Sequence, residues 1–362
     1  MSFWRYALRR ILCAAGIFLL LMFFYSALLE GELELIDKSN LSRQSYQMAG
    51  LIAVDSDLST EEQTVLRQEI YQSLLDAANL DGPLLSRTAR RMVGVFVSGF
   101  GISKLSTVSV ERRTGTQSDR SVICIIGEAM IPTLLLFTGA FLFYTLLAFL
   151  LGVRNTSRPG SRLDRATMRL AIVTSSVPPF VAAMFAVLIF VFLLRLAPSD
   201  PWVNRFPAGL SELGPWFRDF LRHYTLPFFS LIVVNVFIQA IHVRNLMVES
   251  LTCSHIRAAR ARGIRERNVL FGHGLRTAAP PLLTLVSQGL FASLWGSFLV
   301  EPIFQWPGIG QLFLKSILER DAQMAYALLI ILTGIYNLGL IVLDLVYGKL
   351  DPRIKVGTKA TL

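Results

Sequence analysis

The chain has 362 residues, of which 53% are hydrophobic and 17% are charged, and its formal net charge is +10 at pH 7. Soluble globular proteins carry about 25% charged residues, so the low charge argues against a wholly soluble protein and indicates long segments that never meet water. A basic soluble protein would suggest nucleic acid as partner. Here the basic residues fall in short segments between apolar runs, which argues against nucleic acid binding.

Six apolar runs predict membrane-spanning helices, each of which needs about 20 largely apolar residues. They are Ile11–Leu29, Ala129–Val153, Leu170–Leu196, Leu226–Val243, Leu282–Val300 and Ala325–Tyr347. Arginines precede the first run, as they also do in a signal peptide. Because no small-residue cleavage site follows and the next residues are acidic, an uncleaved anchor is the favoured interpretation. Pro132, Pro178 and Pro179 predict kinks within spans, which membrane helices tolerate.

Basic residues alternate between the two sides of the predicted membrane. Arginine and lysine concentrate before the first run, between the second and third, between the fourth and fifth, and after the sixth. The positive-inside rule therefore places both termini in the cytoplasm. The predicted order is a cytoplasmic N terminus with the first helix (1–29), an extracytoplasmic segment (30–128), a five-helix core (129–347) with a cytoplasmic loop at about 246–281, and a cytoplasmic tail (348–362).

The extracytoplasmic segment is predicted to contain helix. Ser59 and Glu62 have the spacing of a capping box, and apolar residues then recur at helical spacing from Val65 to Leu75. Gly82 and Pro83 are expected to end this helix. The sequence thus predicts an all-α membrane protein with a helical external insertion after helix one.

Motifs for catalysis and metal binding are absent from the sequence. It contains no phosphate-binding loop of the form GxxxxGK[ST], no G-x-S-x-G nucleophile elbow and no pair of histidines at metal-ligand spacing. We therefore predict no catalytic residue, no metal site and no cofactor.

A basic stretch between the fourth and fifth runs is the most informative segment. Ile256-Arg-Ala-Ala-Arg-Ala-Arg-Gly263 combines good helix formers with a glycine that can end the helix. Such a short basic helix could insert into a cleft of a partner protein. The alternative interpretation is a solvated basic loop that is retained in the cytoplasm by its charge.

Residues 249–281 resemble the EAA loop of bacterial ABC importer permeases, in particular the first-permease (B-type) subunits of the dipeptide and oligopeptide branch. Gly263 matches the loop glycine and Pro281 the closing proline. Val300-Glu-Pro-Ile-Phe-Gln-Trp-Pro-Gly-Ile-Gly310 is similar to a second motif of that branch, and weaker matches extend the resemblance over about residues 80–354. Thr277 departs from a usual asparagine, and the first helix lacks the family's P-G-D-P-like turn.

The resemblance implies a type I ABC importer permease fold in the bacterial cytoplasmic (inner) membrane. It also implies a second homologous permease, two P-loop ATPase subunits that hydrolyse ATP, an extracytoplasmic substrate-binding protein and peptide cargo. The residues implied to couple the chain to the ATPases are Ile256, Arg257, Ala258, Ala259, Ala261, Gly263, His273, Arg276 and Pro281. Candidates for the pathway or gate are Gln288, Trp306, Pro307, Gly308, Asn337 and Asp344.

Alternatives remain at several points. Asn337 and Gln288 could bridge helices, and Asp344 could pack or reach the headgroups, as intramembrane polar groups often do. Within the family the cargo could be a nickel chelate, an antimicrobial peptide or a glycoconjugate. From another class, the chain could be a non-transporting membrane sensor or scaffold with residues 30–128 as its receptor.

Overall fold

The computed structural model describes residues 3–56, 60–78, 83–98, 121–202, 213–294 and 296–350, and within these ranges every regular element is a helix. The chain divides into two units: residues 1–126 with 315–362, and residues 127–314. The predicted cap at Ser59, the stop at Gly82 and the tail beyond residue 350 lie outside the described residues.

The first unit is built on the packing of the N-terminal helix against the C-terminal helix. Its helices are α1 (Phe3–Leu28), α2 (Glu30–Ser56), α3 (Thr60–Ala78), α4 (Leu84–Ser98) and, after the second unit, α15 (Ala322–Leu350). Met22 of α1, Leu33 of α2, and Tyr326 and Ile330 of α15 form its apolar cluster. The helix predicted from Val65 to Leu75 lies within α3, whereas α2 was not predicted.

An ion pair joins two helices that follow the first span. Arg87 of α4 lies 2.8 Å from Glu34 and 3.5 Å from Glu30, both on α2. Lys38 adds a second cation one turn along α2, at 2.7 Å from Glu34. The hydrogen bonds from Lys38 and Arg87 lower the pKa of the Glu34 carboxyl. These ion pairs fix the position of α4 along α2, which apolar packing alone would specify less strictly.

The second unit contains the remaining helices. They are α5 (Val122–Thr133, which begins in the first unit), α6 (Gly139–Ser157), α7 (Arg162–Ser175), α8 (Pro179–Val187), α9 (Leu213–Leu251), α10 (Ser254–Ala261), α11 (Glu266–Asn268), α12 (Leu275–Ser293), α13 (Val300–Ile303) and α14 (Ile309–Leu318, which ends in the first unit). Among the described residues, the π-helical segments Leu134–Thr138 and Val269–Gly274 connect neighbouring helices, and a third, Leu188–Leu193, continues α8.

Four helices of the described chain are long and apolar enough to cross a membrane: Ala7–Leu28, Val122–Ser157, Leu213–Leu251 and Ala322–Leu345. They correspond to the first, second, fourth and sixth predicted runs. The fourth is a single helix of 39 residues that extends well beyond the apolar run at both ends. A multi-pass membrane protein is therefore the architecture that length and composition of the helices support.

The third predicted run is broken into two helices and is not the single kinked helix that the sequence predicts. Helices Arg162–Ser175 and Pro179–Leu193 meet at an angle of 91°. Pro178 precedes the second helix with an extended ψ of 142°, and Pro179 occupies its first turn. A proline disfavours helical geometry in the residue before it, and two in succession also remove two amide donors. The pair therefore ends one helix and starts another.

The fifth predicted run, Leu282–Val300, is also not one helix. Helix α12 starts earlier, at Leu275, and ends at Ser293. Gly296 then adopts a φ of +63°, and Val300 belongs to the short helix α13. The left-handed conformation at Gly296 turns the chain because it cannot be accommodated in a right-handed helix.

Candidate coupling and pathway sites

The short helix α10 presents an apolar side to the protein and a basic side to its surroundings. Ile256 is fully buried and Ala259 is 3% exposed, three residues apart and hence on one face. Arg257, Ala258 and Ala261 are exposed. The buried pair fixes the helix on the unit, and the exposed face is available to a partner.

The end of α10 is set by a glycine with a left-handed backbone. Gly263 has a φ of +74°, and its N–H donates to the carbonyl of Arg260 at 2.9 Å. The N–H of Ile264 donates to the carbonyl of Ala259 at 3.4 Å. These two bonds form a Schellman motif, which satisfies the last carbonyls of the helix. A Cβ at Gly263 would meet no atom within 4 Å, so only the backbone conformation demands glycine here.

Side chains on both flanks hold α10 in place. Thr277 Oγ1 donates to the carbonyl of His273 at 3.0 Å and lies 3.0 Å from His255 Nε2, from which it accepts. Ser250 Oγ lies 3.0 Å from the carbonyl of Gly274, to which it donates. Thr277, the departure from the family's asparagine, thus anchors the loop. The sequence pattern gave no signal for Ser250 or His255.

An exposed ion pair spans the turn after α10. Arg260 donates to Glu266 at 2.6 Å, and its hydrogen bond lowers the pKa of the Glu266 carboxyl. Solvent-exposed pairs contribute about 0–1 kcal/mol, so this contact orients the turn more than it stabilises it.

The other residues predicted for coupling lie close along the chain but differ in surroundings. His273 is in the π-helical segment before α12, and Arg276 and Pro281 lie in α12 itself; all three are exposed. Gly274 lies in close contact, because a Cβ there would meet Leu251 Cδ2 at 2.7 Å. The structure therefore gathers the predicted coupling residues on one continuous segment that folds back on the end of α9.

A buried ion pair fixes the α6–α7 turn to the same end of α9. Arg244 Nε and Nη2 donate to Asp164 at 2.7 and 3.0 Å. Asp164 also accepts from the N–H of Gly160 at 2.9 Å. Ser161 caps α7 through the N–H of Asp164. A two-pronged arginine–carboxylate contact fixes orientation as well as distance, and charge counting along the sequence did not reveal it.

The segment from Gly296 to Gly310 is fastened by a buried carboxylate. Glu301 is fully buried and accepts from Thr133 Oγ1 at 3.0 Å and from the N–H of Gln311 at 3.1 Å. The backbone of Gly310 adds a further hydrogen bond. Thr133 Oγ1 in turn accepts from the N–H of Ile309 at 2.8 Å. Sequence reasoning placed Glu301 in a motif but assigned it no role.

Close approach explains the glycines of this segment. A Cβ at Gly308 would collide with the Glu301 carboxylate and the Thr133 hydroxyl, and one at Gly310 with the backbone of Ser297. Both glycines are buried. Their missing side chains let the turn wrap around the carboxylate.

Trp306 lies in the apolar core of the second unit. It is 1% exposed, donates from Nε1 to the carbonyl of Pro132 at 3.0 Å, and stacks on Trp202 at 4.8 Å between ring centroids. Pro307 is half-buried beside it. As described, Trp306 holds the turn on α5 and does not face an open passage.

The remaining pathway candidates fall into different surroundings. Gln288 is exposed on α12. In the first unit, Asn337 Nδ2 donates to the carbonyl of Ala14 at 3.0 Å, and Asp344 lies 3.2 Å from Arg10 Nε. Asn337 and Asp344 thus connect α15 to α1, which is the helix-bridging interpretation that the sequence left open.

Reversing both charges of the Arg10–Asp344 pair tests that interpretation. We expect Arg10→Asp and Asp344→Arg each to lower the melting temperature of the purified chain, and the double variant to recover it, with a coupling of about 0.2–1 kcal/mol for this partly exposed pair. The measurement is a thermal double-mutant cycle. If Asp344→Asn alters uptake while stability is unchanged and the cycle shows no coupling, Asp344 belongs to the pathway instead.

Comparison with known proteins assigns the family. The model of the family described as binding-protein-dependent transport system inner membrane component matches residues 144–356. A putative peptide permease protein of Brucella suis is 30% identical over 238 residues, which cover 66% of this chain and 73% of the relative. A dipeptide transport system permease protein of Lactococcus lactis is 30% identical over 291 residues, 80% of this chain and 87% of the relative.

A dipeptide transport system permease protein of Bacillus subtilis is 34% identical over 209 residues, 58% of this chain and 63% of the relative. The family match covers more than half of the chain and contains α10, the Schellman turn at Gly263 and Glu301. On these grounds the chain belongs to the family of binding-protein-dependent transport system inner membrane components.

Proposed function

We propose that this chain is the permease subunit of an ATP-driven importer, forms half of the translocation pathway, and receives the motion of ATPase subunits through α10 and the loop 249–281. The observation that carries the proposal is the exposed basic face of α10. Ile256 and Ala259 on its opposite face are buried and fix the helix on the unit. The family match supplies the transport role. ATP hydrolysis then belongs to separate subunits.

The proposed topology has six spans with both termini in the cytoplasm. Residues 1–29 form the N terminus and first span, 30–128 the extracytoplasmic segment, 129–347 the core and 348–362 the tail. The bent pair Arg162–Ser175 and Pro179–Leu193 counts as the third span. Helix α12 is the fifth; its 19 residues correspond to about 28 Å, close to the thickness of the hydrocarbon core. The distribution of basic residues supports this orientation.

The proposed mechanism uses α10 as a rigid lever. Two P-loop ATPases bind the exposed face of α10 in this chain and its counterpart in a second permease. Closure of the ATPases on ATP moves α10, and the contacts of Ser250 and Thr277 pass the motion to the ends of α9 and α12. This is energetic coupling between two sites through a contiguous, two-state element.

Peptides are the proposed cargo, delivered by an extracytoplasmic binding protein. The relatives named above as peptide and dipeptide permeases support this choice. A nickel chelate, an antimicrobial peptide or another solute is the alternative within the family. Uptake of labelled di- and oligopeptides by cells with and without the gene, in competition with nickel chelates, distinguishes these cargoes.

Affinity purification in mild detergent tests the assembly. We expect tagged chain to co-purify with a second permease and P-loop ATPases, identified by mass spectrometry. Ala258→Glu on the exposed face of α10 should release the ATPases and retain the second permease, because it places a bulky charge where the ATPase docks. Arg154→Glu, a charge change outside the loop, serves as control. A chain that stays alone after gentle crosslinking would favour a non-transporting scaffold or sensor.

A further inference from the structure

A groove of about 470 Å³ runs between α9 and the segment formed by α8 and its π-helical continuation. One wall is the α9 stripe from Arg222 to Val234, and the other includes Ala182, Ala186 and Phe190. Phe190, Phe229 and Val233 are 40%, 52% and 54% exposed. The groove is therefore open along its side and lined by large apolar groups.

The two hydroxyl side chains that line the groove are already occupied. Thr225 Oγ1 donates to the carbonyl of Leu221, and Ser230 Oγ donates to the carbonyl of Pro227 at 2.8 Å. Both hydroxyl donors are thus used within α9. A peptide backbone would lose its hydrogen bonds to water here without replacement, which is costly. The lining suits a hydrocarbon chain and argues against the transported cargo.

The length of the groove matches one leaflet of a bilayer. Arg222 and Val234 are twelve positions apart on α9, which corresponds to about 18 Å, and half of the hydrocarbon core is about 15 Å. Arg222 lies one turn before the apolar run Leu226–Val243, at the level of the headgroups, and Val234 lies near the middle of that run. The groove thus begins at the membrane surface and ends near the midplane.

We propose that this groove binds one acyl chain of a phospholipid, with its phosphate at Arg222. An exposed arginine at the headgroup level is the complementary charge for a phosphate. The choice of leaflet, and no other part of this proposal, depends on the topology proposed above. In that topology the lipid comes from the external leaflet.

Bound lipid would have a mechanical role in this position. The groove lies between α9, which leads to α10, and the segment after the proline break, whose α8 helix begins at Pro179. A seated acyl chain fills the gap between these two elements and limits their approach. Lipid composition would thereby influence the conformational equilibrium of the permease, since a ligand shifts an equilibrium by its differential affinity for the two states.

Photocrosslinking tests the site directly. The full chain, in its assembled transporter, is reconstituted with phosphatidylglycerol that carries a diazirine in its acyl chain, illuminated, digested and mapped by mass spectrometry. We expect labels within residues 182–197 and 225–234. Arg222→Gln should reduce this labelling about fivefold, the equivalent of about 1 kcal/mol for one cation at an anionic surface. Ala186→Trp should fill the groove and remove the label.

Arg218→Gln is the matched control, since Arg218 lies one turn away on α9 and does not line the groove. The proposal is overturned if Arg218→Gln and Arg222→Gln reduce the labelling equally, or if labels are spread evenly over the lipid-facing helices. It is also overturned if the groove stays unlabelled while the Val233→Cys variant crosslinks to a second permease. Labelling does not depend on uptake, so it can succeed even if the proposed transport function fails.

Discussion

Replacing Glu301 with leucine is expected to unfold the segment from Gly296 to Gly310 and to abolish transport. The carboxylate is the buried acceptor for the Thr133 hydroxyl and for the N–H groups of Gln311 and Gly310. Each donor left unsatisfied costs about 1–3 kcal/mol, so the three donors together predict a loss of at least about 3 kcal/mol. That is a large share of the 5–15 kcal/mol that stabilises a typical protein.

Thermal unfolding of the purified chain, followed by tryptophan fluorescence, measures this loss, because Trp306 stacks on Trp202 within the same core. Glu319→Leu is the matched control, since it makes the same chemical change at an exposed position. Thr133→Val should cost about 1–3 kcal/mol through the same network. Glu301→Leu chains with wild-type stability and uptake would show that the carboxylate does not hold the segment.

Replacing Gly263 with glutamate is expected to uncouple ATP hydrolysis from uptake while the chain remains in the membrane. The glycine ends α10 in a left-handed conformation that costs other residues about 1–2 kcal/mol, and the new charge would lie at the proposed ATPase contact. Coupling energies of 1–3 kcal/mol correspond to factors of about 5–150. We expect uptake per ATP hydrolysed to decrease by a factor in that range. The readouts are peptide uptake and ATPase activity of the reconstituted transporter.

The chain offers a matched control for the backbone effect. Gly160 has the same φ of +74° and, like Gly263, no atom within 4 Å of an added Cβ. Gly160→Ala and Gly263→Ala should destabilise the chain by similar amounts, but only the latter should reduce uptake per ATP hydrolysed. Gly263→Asn should recover most of the coupling, because asparagine tolerates this conformation. Equal uptake losses at both positions would point to general destabilisation instead of coupling.

The helix α10 and its glycine stop were predictable because they depend on local chemistry. Alanine and arginine favour helix, and Gly263 can adopt the positive φ that ends it. The helical periodicity of α3 was readable for the same reason. Four of the six apolar runs correspond to helices long enough to span a membrane, since a long hydrophobic segment has few alternatives to helix in lipid.

The third and fifth predicted runs are not single helices in the structure. Each contains proline or glycine, whose effect on a helix has more than one possible outcome. Proline inside an apolar run is compatible with a kink or with a break, and at Pro178 and Pro179 the result is a 91° break. The fifth run likewise leaves its helical length open: α12 ends at Ser293, and Gly296 then adopts a positive φ. In both cases the local sequence is compatible with either outcome, and only the structure shows which one is adopted.

By itself the sequence determined the membrane character of the chain, its family resemblance and the short helix α10, because these follow from composition, periodicity and local motifs. The tertiary structure alone decided the roles of residues that meet across long stretches of chain. The Glu301 carboxylate accepts a hydrogen bond from Thr133, Arg244 pairs with Asp164, and Arg10 pairs with Asp344. Each carboxylate needs a buried or membrane-edge partner to offset its loss of water, and that partner is defined only once the helices have packed.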